Sequence, residues 1–78
     1  MTRENIKEKI VGIIEDLGVG VEVTEESSLA NDLGFDSLDV VELTINVEKE
    51  FKIDISDDEV SEVKTVKDVI DVVEKLLA

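Results

Sequence analysis

The chain has 78 residues, with 21 acidic and 8 basic side chains and a net charge of −13. So acidic a surface argues against binding to nucleic acids or to anionic membranes, which repel it. Cysteine and histidine are both absent, which excludes disulfides and thiolate metal sites. The length predicts a single domain, residues 1–78.

The first predicted helix runs from about Arg3 to Leu17, where apolar residues recur every three or four positions. Its apolar face comprises Ile6, Ile10, Ile13, Ile14 and Leu17. Gly18 follows as the expected C-terminal stop. From Gly18 to Asp36 we expect a long loop, which in so small a protein should contain short turns of its own.

Two segments, residues 19–23 and 51–55, alternate apolar and polar residues as β-strands do. A lone pair of short strands is only marginally stable, and both segments adjoin stronger helical patterns. We therefore interpret them as extended loop segments that place apolar side chains beneath the helices.

The second predicted helix runs from Ser37 to about Phe51 and carries two apolar rows. Asp36 is a suitable N-cap, and the carboxylate of Asp39 in the first turn favours the helix dipole. One row, which suits a core, is Val40, Leu43, Val47 and Phe51. The other row is Leu38, Val41 and Ile45. This second row is either the rim of the core or an acid-bordered hydrophobic strip that docks on a basic-rimmed groove.

The rest of the chain predicts one short helix and one final helix. Ser56 and Glu59 fit a capping box, and the last helix begins at Thr65. Its apolar stripe is Val66, Val69, Ile70, Val73, Leu76 and Leu77. The predicted fold class is all-α: a small bundle of three main helices plus one short helix, with a long first loop.

Ser37 is the most informative residue because its hydroxyl lies at a helix start inside an acidic stretch. From Ile10 to Glu48 the chain has ten acids and no lysine or arginine. With no histidine or nearby lysine to act as a base, Ser37 is a poor nucleophile, which disfavours a hydrolase. It is a better candidate for modification by another protein. The acidic stretch is either a solvated surface or a means of steering a basic partner.

Residues 33–43 (LGFDSLDVVEL) resemble the attachment site of acyl carrier proteins, and the resemblance continues through residues 48–55 and 65–68 into the final helix. It implies that a phosphopantetheinyl transferase attaches 4′-phosphopantetheine from coenzyme A to Ser37. It also implies that Asp36 helps to engage the transferase and its metal ion. The thiol of the arm would carry acyl groups as thioesters, so the chain would be a carrier and not an enzyme. Its other partners would be acyl-processing enzymes with basic docking patches.

The resemblance further implies two groups of binding residues. The partner-binding group is Leu38, Asp39, Val41, Glu42, Ile45 and Glu48. The acyl-pocket group, whose members are also core residues, is Leu29, Val47, Ile55, Val60, Val63 and Val69. Lys49 stands where fatty-acid carriers usually have an acid, and Val60 and Val69 stand where alanine is common. We expect a role in fatty-acid biosynthesis or in a related specialised acyl or polyketide pathway.

The alternative function uses no prosthetic group: an acidic helical adaptor that binds a basic protein partner. For both functions we expect a monomer. The N-terminus lacks the apolar run of a signal peptide, and no segment approaches the ~20 apolar residues of a membrane span. The expected location is therefore the cytoplasm.

Overall fold

The computed structural model describes residues 2–77, which form four helices around one apolar core. The helices are α1 (Arg3–Asp16), α2 (Ser37–Phe51), α3 (Asp57–Glu62) and α4 (Val66–Leu77). No strand forms among these residues, so the predicted all-α bundle with a long first loop is confirmed. α2 has the predicted bounds, whereas Leu17 and Thr65 lie just outside α1 and α4.

The core forms where α1, α2 and α4 face one another. Each helix contributes apolar side chains at spacings of three and four residues, as expected of amphipathic helices. The buried helical side chains are Ile6, Ile10, Ile14, Leu43, Val47, Phe51, Val66, Val69, Ile70 and Val73. Val40, from the predicted core row of α2, is only half-buried. Leu29 and Phe35 of the long loop also enter the core, so this loop is part of the hydrophobic packing.

The long loop between α1 and α2 is attached to the segment that precedes α4. Ser28 and Thr65 form an isolated antiparallel bridge, and the Leu29 N–H donates to the Lys64 carbonyl at 2.9 Å. The predicted short turns are present, for example where the Leu33 N–H donates to the Ser28 carbonyl at 3.1 Å. As interpreted from the sequence, residues 19–23 and 51–55 form no strand.

α3 is a single short helix that adds no buried side chain to the core. Its predicted capping box is confirmed, because Ser56 Oγ accepts from the Glu59 N–H at 3.2 Å and Glu59 Oε1 accepts from the Ser56 N–H at 3.3 Å. In the connection before α3, the Ile55 N–H donates to Glu48 Oε2 at 2.8 Å. α3 is thus held by half-buried side chains and by polar contacts at its start.

Candidate functional site

Ser37 is the first residue of α2, and its side chain is exposed. The aspartates on either side of it form the helix cap between themselves. Asp36 Oδ1 accepts from the Asp39 N–H at 2.9 Å, and Asp39 Oδ2 accepts from the Asp36 N–H at 3.1 Å. The predicted N-cap at Asp36 is confirmed, whereas the reciprocal bond to Asp39 is not predicted because capping boxes usually have Glu or Gln there. Since this cap does not use the Ser37 hydroxyl, the hydroxyl stays available for modification.

A tight turn brings the chain from the core to Ser37. Gly34 has a positive φ of 71°, a conformation that glycine adopts without steric cost. The next residue, Phe35, is buried, and its N–H donates to the Leu29 carbonyl at 2.8 Å. Anchoring Phe35 in the core fixes the start of α2 and therefore the position of Ser37.

An open groove of about 460 Å³ lies beside Ser37, between the long loop, the start of α2 and the α3–α4 connection. Its apolar lining includes Leu29, Phe35, Val40 and Val63. Asn31 and Lys64 contribute polar groups, and Lys64 is the one cationic residue lining it. The groove therefore presents both apolar and polar groups beside the exposed Ser37 side chain.

Three apolar side chains of α2 face solvent and form what we call the exposed strip. Leu38 is 77% exposed, Val41 47% and Ile45 43%. This row is exposed, whereas the buried face of α2 is formed by Leu43, Val47 and Phe51, and a docking role for the row stays a prediction. The strip begins at the residue that follows Ser37.

The acidic residues predicted to border this strip differ in their surroundings. Asp36 and Glu42 are exposed, whereas Asp39 and Glu48 are half-buried. One oxygen of Glu48 accepts the hydrogen bond from Ile55, so this carboxylate has a structural role in the α2–α3 connection. The sequence alone does not reveal that role.

The six residues predicted to line an acyl pocket fall into two sets. Leu29, Val47 and Val69 are buried in the core, whereas Ile55, Val60 and Val63 are half-buried. Leu29 and Val63 also line the groove beside Ser37, and the other four do not. The groove thus contacts one edge of the predicted pocket.

The sequence does not predict that Asn31 and Lys64 lie near Ser37. Lys64 reaches the groove because the bridge between Ser28 and Thr65 holds the α3–α4 connection against the long loop. No periodic pattern or motif records such a contact between distant segments.

Two sets of ionic contacts outside the groove, those around Arg3 and the pair of Lys75 and Glu59, are also absent from the sequence prediction. Arg3 donates to Asp71 at 2.8 Å and to Glu74 at 3.1 Å, and it pairs with Glu25 at 3.1 Å. The hydrogen bonds to Asp71 and Glu25 raise the pKa of the Arg3 guanidinium. At α3, hydrogen bonds from Ser56, assisted by Lys75, lower the pKa of the Glu59 carboxyl.

Comparison with known proteins assigns a family to this site. A family model described as the phosphopantetheine attachment site matches residues 8–73. An acyl carrier protein of Porphyromonas gingivalis is 51% identical over 74 residues, which cover 92% of this chain and 95% of the relative. The chain belongs to the acyl carrier protein family. An acyl carrier protein of Coprothermobacter proteolyticus is 45% identical over 80 residues, covering 99% of this chain and 96% of the relative.

Solved structures of acyl carrier proteins share the fold. The crystal structure from Thermotoga maritima is 43% identical and has a TM-score of 0.83, covering 96% of this chain and 89% of that chain. The acyl carrier protein from Enterococcus faecalis is 32% identical and has a TM-score of 0.82, covering 97% of this chain and 99% of that chain. The overall fold of the chain is therefore that of solved acyl carrier proteins.

As a member of this family, the chain carries a covalently attached 4′-phosphopantetheine and is a carrier, not a catalyst. The adaptor alternative, which has no prosthetic group, is thereby set aside. The site fits such a group, because an exposed hydroxyl stands beside a groove with mixed polar and apolar walls. The bound group supplies the thiol that the chain lacks. Its partners are a phosphopantetheinyl transferase and acyl-processing enzymes. Among residues 2–77, no helix has the length and apolar composition needed to cross a bilayer.

Proposed function

We propose that Ser37 carries the phosphopantetheine arm and that the chain delivers acyl thioesters to enzymes of fatty-acid biosynthesis or of a related acyl or polyketide pathway. The supporting observation is the position of Ser37, exposed at the start of α2 on the edge of a groove, with a helix cap that does not need it. A helix N-terminus presents N–H groups and a positive dipole end, which tolerate a phosphate. Asp36 engages the transferase and its metal ion through Oδ2, the oxygen that the cap leaves free.

The attachment site can be tested by mass spectrometry. The apo chain is incubated with coenzyme A, Mg²⁺ and a broad-specificity transferase, and we expect a mass gain of one phosphopantetheinyl group. Ser37→Ala should show no gain. Ser61→Ala is the matched control, because Ser61 is an exposed serine on α3 that lies outside the groove. A gain that persists in Ser37→Ala would contradict this attachment site, and no gain in the unmodified sequence would contradict the carrier function.

The exposed strip of α2 is the proposed docking surface for partner enzymes. Contiguous apolar groups that face solvent are typical of interaction sites when polar residues surround them. Asp39, Glu42 and Glu48 supply this surround and complement a partner groove bordered by lysine and arginine. Glu48 can contribute only Oε1, because Oε2 binds the Ile55 N–H.

Docking can be tested with the transferase as the partner. Truncating a hot-spot side chain at the centre of an interface costs about 2 kcal/mol or more, so Leu38→Ala should raise the KM for the apo chain on the order of tenfold or more. Val21→Ala is the matched control, because Val21 is 55% exposed but lies in the long loop away from α2. Equal KM values for the two variants would contradict docking at the strip.

The acyl chain is proposed to enter between α2 and α3, against the six pocket residues named above. Support comes from α3, which buries no side chain, because an element with little buried surface can move at low cost. Amide resonances of an octanoyl-loaded chain should therefore shift more in α3 than in α1, relative to the unloaded holo chain. Uniform or absent shifts would contradict an internal pocket.

The choice of pathway, the monomeric state, the single-domain organisation and the cytoplasmic location remain predictions from the sequence. The pathway can be tested by offering the holo chain to purified ketosynthases of fatty-acid and polyketide origin and comparing kcat/KM. Sedimentation equilibrium tests the monomer directly.

A further inference from the structure

The charge around Ser37 is unbalanced once a phosphate is attached there. Asp36 and Asp39 lie in the same turn, and a phosphodiester adds one more negative charge beside them. From Ile10 to Glu48 the chain has no lysine or arginine, so neither the long loop nor most of α2 can offset this charge. A compensating cation supplied by the chain itself therefore belongs to another segment.

The helix N-terminus offers less compensation here than its position suggests. The Asp39 N–H, one of the donors that a phosphate would use, is already bound to Asp36 Oδ1 at 2.9 Å. The carboxylate of Asp36 also offsets the positive end of the helix dipole. A cationic side chain near Ser37 therefore matters more than it would at an uncapped helix start.

Lys64 is the cation that the fold places in this groove. It belongs to the α3–α4 connection and lines the same groove as Ser37. Its backbone is fixed on both sides, because its carbonyl accepts from the Leu29 N–H at 2.9 Å and its N–H donates to Asp68 Oδ2 at 2.9 Å. Its side chain is exposed and forms no salt bridge within residues 2–77. Lys64 thus lines the same groove as Ser37 and has no salt-bridge partner among the described residues.

We propose that Lys64 is the counter-ion of the phosphodiester at Ser37 and that this pairing directs the arm into the groove. A lysine ammonium binds a phosphate as a compact point charge on a flexible stem. With the phosphate held there, the apolar part of the pantetheine lies against Phe35, Val40 and Val63, which line the groove. Lys64 is a positioning residue, and this role rests on the attachment at Ser37 proposed above.

The test compares three variants of the holo chain: Lys64→Gln, Lys64→Arg and Lys67→Gln. Lys67 is the matched control, because it is an exposed lysine three positions away that pairs with Asp71 and does not line the groove. Mass spectrometry first establishes that each variant carries the arm on Ser37. The measured signals are the ³¹P resonance of the phosphodiester and, in the unmodified sequence, the ¹³Cε resonance of Lys64 before and after the arm is attached.

The expected result is a shift of the Lys64 ¹³Cε resonance on attachment, together with a ³¹P resonance that moves in Lys64→Gln but not in Lys64→Arg or Lys67→Gln. Because screening weakens exposed ion pairs, the ³¹P difference should shrink at about 0.5 M NaCl. Identical ³¹P signals in all three variants, with an unchanged Lys64 resonance, would show a solvated lysine and overturn the inference alone. Failure of the unmodified sequence to gain the arm at Ser37 would overturn the proposed function, and this inference with it.

Discussion

The α1–α4 side and the α2–α3 side of the bundle differ in their ionic contacts and in the apolar surface that they expose. On the α1–α4 side, both helices bury apolar side chains in the core, and Arg3 joins α1 to Asp71 and Glu74 of α4 and to Glu25 of the long loop. On the α2–α3 side, α3 buries no side chain, and α2 presents the exposed strip to solvent. The first side contributes buried side chains and ion pairs to the fold, and the second carries Ser37, the groove and the proposed docking surface.

Paired and unpaired basic side chains are also distributed unequally between these two sides. On the α1–α4 side, Arg3, Lys7 and Lys67 all pair with carboxylates. In α2 and the connection after it, Lys49 and Lys52 form no salt bridge within residues 2–77, and neither does Lys64 of the groove. Cations that hold the fold together are unavailable to other molecules. The unpaired lysines lie in α2, in the connection after it and in the α3–α4 connection.

The largest expected effect is the loss of folding stability when a buried side chain of α4 is truncated, compared with the truncation of an exposed side chain of α2. Ile70 is fully buried in α4, so Ile70→Ala should lower the free energy of unfolding by about 2–5 kcal/mol. Leu38 is 77% exposed, so Leu38→Ala should change it by less than about 0.5 kcal/mol. Urea unfolding followed by circular dichroism measures both.

Ile70→Val, with an expected loss of about 0.5–1.5 kcal/mol, keeps this comparison measurable if the alanine variant does not fold. The division between the two sides would be wrong if Leu38→Ala destabilised the chain as much as Ile70→Val.

Local patterns predict most of the fold. The apolar spacing locates the core face of each main helix, and the side chains of Asp36 and Ser56 mark two helix starts where the structure has them. The sequence leaves open whether the second row of α2 forms the rim of the core or a docking strip. The structure shows that this row is exposed, with Leu38 77% exposed.

Contacts between distant segments cannot be predicted in this way. The pair of Arg3 and Glu74 is 71 positions apart, and the approach of Lys64 to Ser37 depends on a bridge between two loops. Glu48 illustrates the same limit within a single residue. Its charge and spacing indicate a docking role, but its hydrogen bond to the Ile55 backbone depends on how the chain turns after α2.

The next largest effect concerns the ionic contacts of Arg3. Arg3→Gln should lower the melting temperature, because it leaves Glu25, Asp71 and Glu74 close together without their shared cation. Lys49→Gln, which makes the same change in net charge at an unpaired position, is the matched control and should have a smaller effect. Thermal unfolding at low salt measures both variants.

Salt dependence sharpens this test. Because 21 carboxylates repel one another, added NaCl should raise the melting temperature of the unmodified sequence. The difference in melting temperature between the unmodified sequence and Arg3→Gln should become smaller at the same time, since salt screens exposed ion pairs. If Lys49→Gln lowered the melting temperature as much as Arg3→Gln, the effect would reflect net charge and not the cluster.

The smallest expected effect is the pH-dependent contribution of Glu59 in α3 to the stability of the folded chain. Hydrogen bonds from Ser56, assisted by Lys75, lower the pKa of Glu59 below its ordinary value of 4.5 in the folded chain. The ionised carboxylate therefore stabilises the folded state fully above pH 4.5, and this contribution is lost as the pH falls through the lowered pKa. The difference in urea midpoint between the unmodified sequence and Glu59→Gln should be largest near neutral pH and should disappear in acid.

Glu62→Gln is the control for this last test, because it removes the same charge from an exposed position of α3 without touching the capping box. For each variant, the quantity to compare is the difference in urea midpoint from the unmodified sequence. This difference should depend on pH more strongly for Glu59→Gln than for Glu62→Gln. A stronger pH dependence for Glu59→Gln would show that the ionised Glu59 carboxylate stabilises α3, which buries no side chain. Equal pH dependence in the two variants would mean that the packing of half-buried Val60 and Val63 holds α3 in place without the cap.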